Sequence, residues 1–211
     1  MVALESISFE EGLQLVRRRG ELMEEAAQKS AGTMASILGL TEEDCLAICK
    51  ASGSELANLN SYDQIVISGS VESINRACEL AKQKGAKRVI PLKVGGAFHS
   101  TLMEYAKSGL VQALKKVTIR TPRGIFIPNV TAKPTSNPEE IRDLLGKQLT
   151  SPVQWTKTME TVHQLGIRKL LEVGPGRVLK GLARKINPDL NVTCVEKPGD
   201  LEELKLVLVG S

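Results

Sequence analysis

The chain has 211 residues, 42% of them hydrophobic and 25% charged, enough apolar material for one large or two small globular units. Its formal net charge of +4, from 28 basic and 24 acidic residues, is too mild and too scattered for a nucleic-acid binder and would suit an acidic partner. No apolar run of about eighteen residues marks a membrane span, and no signal-peptide pattern follows Met1.

The first element opens at Ser8-Phe9-Glu10-Glu11, a capping box in which Ser8 caps and Glu11 reaches back. Phe9, Leu13, Val16, Gly20 and Met23 then mark one face of a helix that ends near Lys29. Arg17, Arg18 and Arg19 read as a solvated basic face of that helix. A strand at 33–38, a helix at 41–50 boxed by Thr41 and Asp44, and a hairpin of 55–60 with 64–68 follow. A helix capped by Ser70 and closed by Gly85 leads to a strand at 87–92. The order strand-helix-strand-strand-helix-strand is the split βαβ, ferredoxin-like arrangement, and predicts a small subdomain over 30–93. Cys45, Cys49, Cys78 and Cys194 lack metal-site spacing and read as small buried hydrophobes of a reducing compartment.

The apolar strand ends at Val94, and Gly95-Gly96-Ala97-Phe98-His99 turns sharply into a helix with Met103, Ala106, Leu110 and Ala113 on one face. Histidine titrates nearest physiological pH, so a loop-presented His99 is a candidate general base, or a histidine that merely follows a turn. Beyond it the pattern predicts strands at 117–120 and 125–130, and a helix capped by Asn137 with Pro138 in its first turn. A helix through Trp155, Met159 and Val162 stops at Gly166, with His163 read as structural. A near-continuous apolar strand at 167–173 suits a sheet covered on both faces. Gly174-Pro175-Gly176 turns into a helix carrying Val178, Leu179, Leu182 and Ile186, and the last strand spans 190–195. The alternation indicates an α/β protein with a parallel sheet.

Gly96-Ala97-Phe98-His99 with Leu102-Met103 resembles the histidine motif of the malonyl-CoA:acyl carrier protein transacylases of type II fatty-acid synthesis. Further pieces stand in the same order: Arg17-Arg18-Arg19-Gly20-Glu21-Leu22-Met23, Asn58-Leu59-Asn60-Ser61, and Gln64 to Gly69. Pro128-Asn129-Val130, Gln148-Leu149-Thr150-Ser151-Pro152-Val153-Gln154-Trp155 and Glu172-Val173-Gly174-Pro175-Gly176 complete the series. The resemblance covers nearly the whole chain. Tyr62-Asp63 departs from it, standing where relatives are expected to carry Pro-Gly.

The resemblance implies an α/β-hydrolase-like large subdomain, over 1–29 and 94–211, with the ferredoxin-like one inserted. It implies that malonyl passes from coenzyme A through a serine acyl-enzyme to the phosphopantetheine thiol of acyl carrier protein, in the cytoplasm or an organelle. Coenzyme A enters as a thioester substrate, and no metal or redox cofactor is expected. Neither nucleic acid nor membrane is an expected partner.

By resemblance Arg19 anchors the malonyl carboxylate, a task suited to a guanidinium fork. His99 is the base, and the Gln148 segment orients it. Phe98 sets a preference for malonyl over branched methylmalonyl, and Asn129 helps to shape the site. The family's Gly-X-Ser-X-Gly nucleophile elbow occurs nowhere in the 211 residues. The chain is therefore expected to be truncated ahead of that elbow.

Two other readings stand beside the transacylase. One is a catalytically inactive acyltransferase-like module that binds carrier protein or an enzyme partner. The other is a polyketide synthase acyltransferase domain. Arg177, Lys180, Arg184 and Lys185 form either a solvated helix face or a docking surface for the acidic carrier.

Overall fold

The computed structural model describes residues 1–200 and Leu204. Backbone contacts divide the chain into two compact units, Met1–Trp155 and Thr156–Ser211.

The first unit opens with helix α1, Phe9–Lys29. The capping box is in place: Ser8 Oγ accepts from Glu11 N at 3.2 Å, and Glu11 accepts from Ser8 N at 3.1 Å. The buried face departs from the stripe that the apolar spacing marks, except at Met23, which packs against the core. Gly12, Leu22 and Ala26 are buried, whereas Phe9, Leu13 and Val16 are 72%, 60% and 70% exposed. Leu22 packs with Met103, Ala106, Leu110 and Leu114. It lies against Gly109 so closely that a Cβ there would sit 2.4 Å from Leu22 Cδ2. Leu22→Ala is therefore expected to lower unfolding free energy by about 2–5 kcal/mol. Phe9→Ser should change it by less than about 0.5 kcal/mol, because Phe9 has little packing to lose. Urea denaturation of the two variants checks the assignment of the face.

After α1 come β1 (Gly32–Leu38), α2 (Glu42–Ser52), β2 (Glu55–Ser61), β3 (Gln64–Ser70), α3 (Val71–Gln83) and β4 (Arg88–Pro91). The sheet order is β2-β3-β1-β4, and β1 runs antiparallel to both β3 and β4. This is the split βαβ order that the sequence predicts. Ile37, Ile65, Ile67, Ile48, Ile74 and Ala77 form a core between the sheet and helices α2 and α3. Cys45, Cys49 and Cys78 are buried with free thiols, and burial pushes the Cys45 thiol up to about 12. The caps hold here too: Thr41 pairs with Asp44, Ser70 accepts from Ser73 N, and Gly85 has a φ of 88°.

A short 3₁₀ turn, Thr101–Met103, runs into α4 (Glu104–Leu114). The segments 117–120 and 125–130, which the pattern predicts as strands, are extended without a ladder. Arg120 N bonds singly instead, to Ser6 O at 2.8 Å, and Arg123 N, between the two segments, bonds to Leu4 O at 3.0 Å. Phe126 makes only an isolated bridge to Thr135. Apolar alternation gives an extended backbone, but a strand also needs a neighbour in register. Helix α5, Pro138–Lys147, starts at Asn137, whose Oδ1 accepts from Glu139 N and Glu140 N. A 3₁₀ turn, Gln148–Thr150, closes it.

Helix α6 (Trp155–Gln164) leads into the second unit, with β5 (Lys169–Val173), α7 (Val178–Ile186) and β6 (Asn191–Val195). β5 and β6 are parallel. The expectation that β5 is covered on both faces is not met: Val173 is 78% and Leu171 49% exposed. Among the described residues its only ladder partner is β6, and a two-stranded ribbon leaves apolar side chains uncovered. Glu172 accepts from Leu179 N at 2.8 Å and Lys180 N at 2.9 Å, so it caps α7. Burial works against its charge, yet those amides hold its carboxyl below the usual value. No helix among the described residues is long and apolar enough to cross a membrane.

Candidate active site

Every residue that the sequence nominates for chemistry lies in the first unit. The loop Gly95–Ser100 is wedged between α1 and β1. A Cβ on Gly96 would fall 2.8 Å from Ala27 Cβ, and one on Gly32 would fall 2.6 Å from Ala97 Cβ. Glycine is required at these two places because backbone and side chain meet directly. The packing delivers Ala97, 0% exposed, and Phe98, whose ring touches both the α1–α4 core and the Met34–Ala57–Val66 cluster under the sheet.

His99 takes a left-handed backbone, φ 61°, which a side-chain-bearing residue adopts only where its surroundings impose it. Its Nδ1 lies 2.9 Å from the backbone carbonyl of Gln148. A carbonyl can only accept, so Nδ1 carries the proton and Nε2 is the basic nitrogen. Burial lowers the imidazole pKa below its ordinary 6.5, the Gln148 carbonyl partly opposes that, and the Arg19 charge lowers it further. The ring is thus a neutral base at neutral pH.

The Gln148 segment meets His99, as the sequence predicts, but through the main chain. The Gln148 side chain points its Nε2 at Ser151 O, 3.3 Å away. Gln148→Ala is therefore expected to leave the His99 tautomer and pKa unchanged, as read by ¹⁵N NMR of the imidazole. A shift in either would show that the side chain takes part.

Three consecutive arginines part ways on α1. Arg17 pairs with Glu21, and Arg18 pairs with Glu21 and Glu25. Arg19 is half-buried and has no ion pair or hydrogen bond among the described residues, and burial pushes its pKa down from the ordinary value. It opens on a cavity of about 570 Å³ lined by Arg19, Gly20, Met23, Ala27, Gly95 and Phe98, together with Glu24 and Gln28. Sequence reasoning missed Met23 and Ala27 as lining residues. Their four-residue steps from Arg19 on one helix were the available signal. His99 follows Phe98 but does not itself line this cavity. Asn129 does not line it either; its carbonyl accepts from Gln154 N at 3.0 Å.

Ser100, Ser61 and Ser68 are each buried or bonded elsewhere. Ser100 Oγ donates to Ala97 O at 2.6 Å and is fully buried. Ser61 Oγ donates to Asp63. Ser68 lies in the sheet at 0% exposure. Among the described residues no group of three or more His, Cys, Asp or Glu is placed to hold a metal ion.

Comparison with known proteins places this arrangement. The model of the acyl transferase domain family matches residues 1–186. The malonyl CoA-acyl carrier protein transacylase of Staphylococcus aureus (strain MRSA252) is 38% identical over 210 residues, covering 97% of this chain and 67% of that protein. The transacylase of the same name from Bacillus subtilis (strain 168) is 39% identical over 207 residues, covering 96% and 65%. Among solved structures, the acyl-carrier-protein-S-malonyltransferase of Bartonella henselae superposes with a TM-score of 0.92 at 38% identity, covering 98% of this chain and 67% of its own. A malonyl-transacylase in complex with a holo type II polyketide acyl-carrier protein superposes with a TM-score of 0.90 at 36% identity, covering 95% and 66%.

Fold and site together define an acyltransferase of α/β architecture. The chain belongs to the acyl transferase domain family, where its relatives are malonyl CoA-acyl carrier protein transacylases. It spans about two thirds of their length.

Proposed function

We propose that the chain supplies the base and the carboxylate anchor of a transacylase that moves malonyl from coenzyme A to the phosphopantetheine thiol of acyl carrier protein, the step that feeds fatty-acid synthesis. One observation carries the reading: a half-buried guanidinium with no counter-ion among the described residues, lining a cavity whose wall also holds Phe98, the neighbour of His99. An unpaired, partly desolvated cation gains from an anionic ligand. A carboxylate that receives the Arg19 fork places the rest of a malonyl thioester beside Phe98 and the His99 loop.

His99 Nε2 takes the proton of an attacking hydroxyl as its oxygen bonds to the thioester carbonyl carbon. The Gln148 carbonyl holds Nδ1–H meanwhile. The imidazolium returns the proton to the departing coenzyme A sulfur. The second half reaction runs in reverse order, with the carrier thiol as the attacking group. Phe98 narrows the space beside the acyl carbon, which favours malonyl over a branched acyl by about 1–3 kcal/mol. Asn129 is assigned a shaping part, through its bond to Gln154. The thioester enters as a substrate, and the residues assembled here need only hold a carboxylate and move a proton. The cytoplasm, or an organelle that holds the same substrates, suits this chemistry. The division into a large subdomain, 1–29 and 94–211, and an inserted one, 30–93, belongs to the same proposal. Within the first unit, Met1–Trp155, it is supported by the separate cores of the sheet and of the α1–α4 pair, and its last residues lie outside those described.

A second reading, a catalytically inactive module that binds carrier protein or an enzyme partner, is favoured by the absence of Gly-X-Ser-X-Gly from the 211 residues. A chimera separates the two. The part of the Staphylococcus aureus relative outside the matched region is joined to this chain and assayed for malonyl transfer to holo carrier protein. Transfer that is lost on His99→Ala supports the transacylase. A folded chimera that binds carrier protein without transferring malonyl supports the inactive module.

The basic face of α7 supplies a further expectation. Arg184 and Lys185 are exposed. Charge reversal at both should raise the carrier KM in the chimera and flatten its salt dependence, leaving coenzyme A kinetics unchanged. An unchanged carrier KM would show that this face is only solvated.

A further inference from the structure

Ser100 stands immediately before the helical run that begins at Thr101, where a serine ordinarily caps. It makes no side-chain cap. Its Oγ turns back to Ala97 O at 2.6 Å and closes the His99 loop on itself. The cap comes from Glu55, at the first position of β2, 46 residues away in sequence. One oxygen of its carboxylate, Oε1, accepts from Thr101 N at 2.9 Å and from Thr101 Oγ1 at 2.7 Å. A carboxylate at this point also faces the positive end of the run from Thr101 to Leu114. His99 lies two residues before Thr101, in a backbone region that favours glycine. It is held there by three ties: Ser100 to Ala97 on the loop's own chain, Nδ1 to the Gln148 carbonyl, and Glu55 to Thr101.

We infer that Glu55 is a positioning residue for His99. Through Thr101 it anchors the C-terminal side of the loop to the four-stranded sheet, which keeps the left-handed backbone and the Nδ1 bond to Gln148 in place. Without the clasp the first amide of the helical run has no acceptor, the loop relaxes toward an ordinary φ, and the imidazole leaves its carbonyl. The sequence hides this residue, because nothing in the stretch around Glu55 signals a cap for a helix so distant.

The inference rests on His99 being the base, but its test reads placement of the ring rather than acyl transfer, so either idea can fail alone. The chain has two histidines, so His163 is an internal reference. Carbethoxylation by diethyl pyrocarbonate at fixed pH is followed for each histidine by peptide mass spectrometry on the 211-residue chain. Glu55→Ala is expected to raise the His99-to-His163 rate ratio about tenfold, the shift that corresponds to losing one hydrogen bond to a charged group. Glu55→Gln keeps an acceptor oxygen and should restore the ratio to within about twofold of the parent. Thr101→Ala removes the Oγ1 bond alone, should raise the ratio to a smaller extent, and decides the matter if Glu55→Ala does not fold. An unchanged ratio in folded Glu55→Ala, or in Thr101→Ala where it must decide, would overturn the inference. So would an equal rise in Glu55→Gln, or a parallel rise at both histidines.

Discussion

Arg19→Ala, placed in the chimera, is expected to lower kcat/KM for malonyl-CoA by about two to four orders of magnitude. The guanidinium fork makes two charge-assisted hydrogen bonds to a carboxylate, each worth about 1.5–3 kcal/mol. About 1.4 kcal/mol corresponds to a tenfold change in rate. Acetyl-CoA has no carboxylate to anchor, so its use should stay the same or rise. Arg19→Lys keeps the charge and loses the fork, and should fall between parent and alanine variant. Steady-state kinetics with both thioesters check this. An equal loss for malonyl and acetyl would mean that Arg19 supports the fold and not the acyl group.

His99→Ala should cost about a hundred- to ten-thousandfold in kcat/KM in the same chimera, the usual range for removing a positioned base. The pH profile carries more information. The His99 pKa is lowered from 6.5, first by burial and further by the Arg19 charge, with the Gln148 carbonyl pulling the other way. The neutral ring is the active form, so activity should be flat above pH 6.5 and fall on the acid side at an inflection below it. Arg19→Ala removes a like charge, so in whatever activity remains with acetyl-CoA the inflection should move upward. An inflection above 6.5 would mean that the ring is held as imidazolium, which the Nδ1 contact to a carbonyl and the nearby cation both argue against.

Much of this was legible from residue identities, and the failures share a cause. Caps were readable because their partners lie three residues apart: Ser8 with Glu11, Thr41 with Asp44, Asn137 with Glu140. The ferredoxin-like order was readable because its elements follow one another without interruption. The buried side of α1 was not. Phe9, Leu13 and Val16 make as good an apolar stripe as Leu15, Leu22 and Ala26, and periodicity does not say which stripe meets a neighbour. The covering of β5 failed in the same way, since an apolar run tells of preference and not of contact.

In the site, the separate standing of Arg19 had a local signal. Arg17 and Arg18 each have Glu21 one turn ahead, whereas the corresponding positions for Arg19 are Leu22 and Met23. The main-chain role of Gln148 had no such signal, because a carbonyl looks the same in every residue. Nor did the backbone of His99 or the reach of Glu55 to Thr101. Both are set by packing between segments remote in sequence.

The most direct test is the intact mass of the protein after incubation with malonyl-CoA, for the 211-residue chain and for the chimera side by side. No adduct is expected on the chain alone. One malonyl group per chimera is expected, discharged when holo carrier protein is added and formed far more slowly in the Arg19→Ala variant. A malonyl adduct on the chain alone would contradict the first expectation, because one of the serines placed here as buried or bonded elsewhere, or some other side chain, would then be the nucleophile. A folded chimera that takes up no malonyl would contradict the second, by denying His99 and Arg19 the roles of base and anchor.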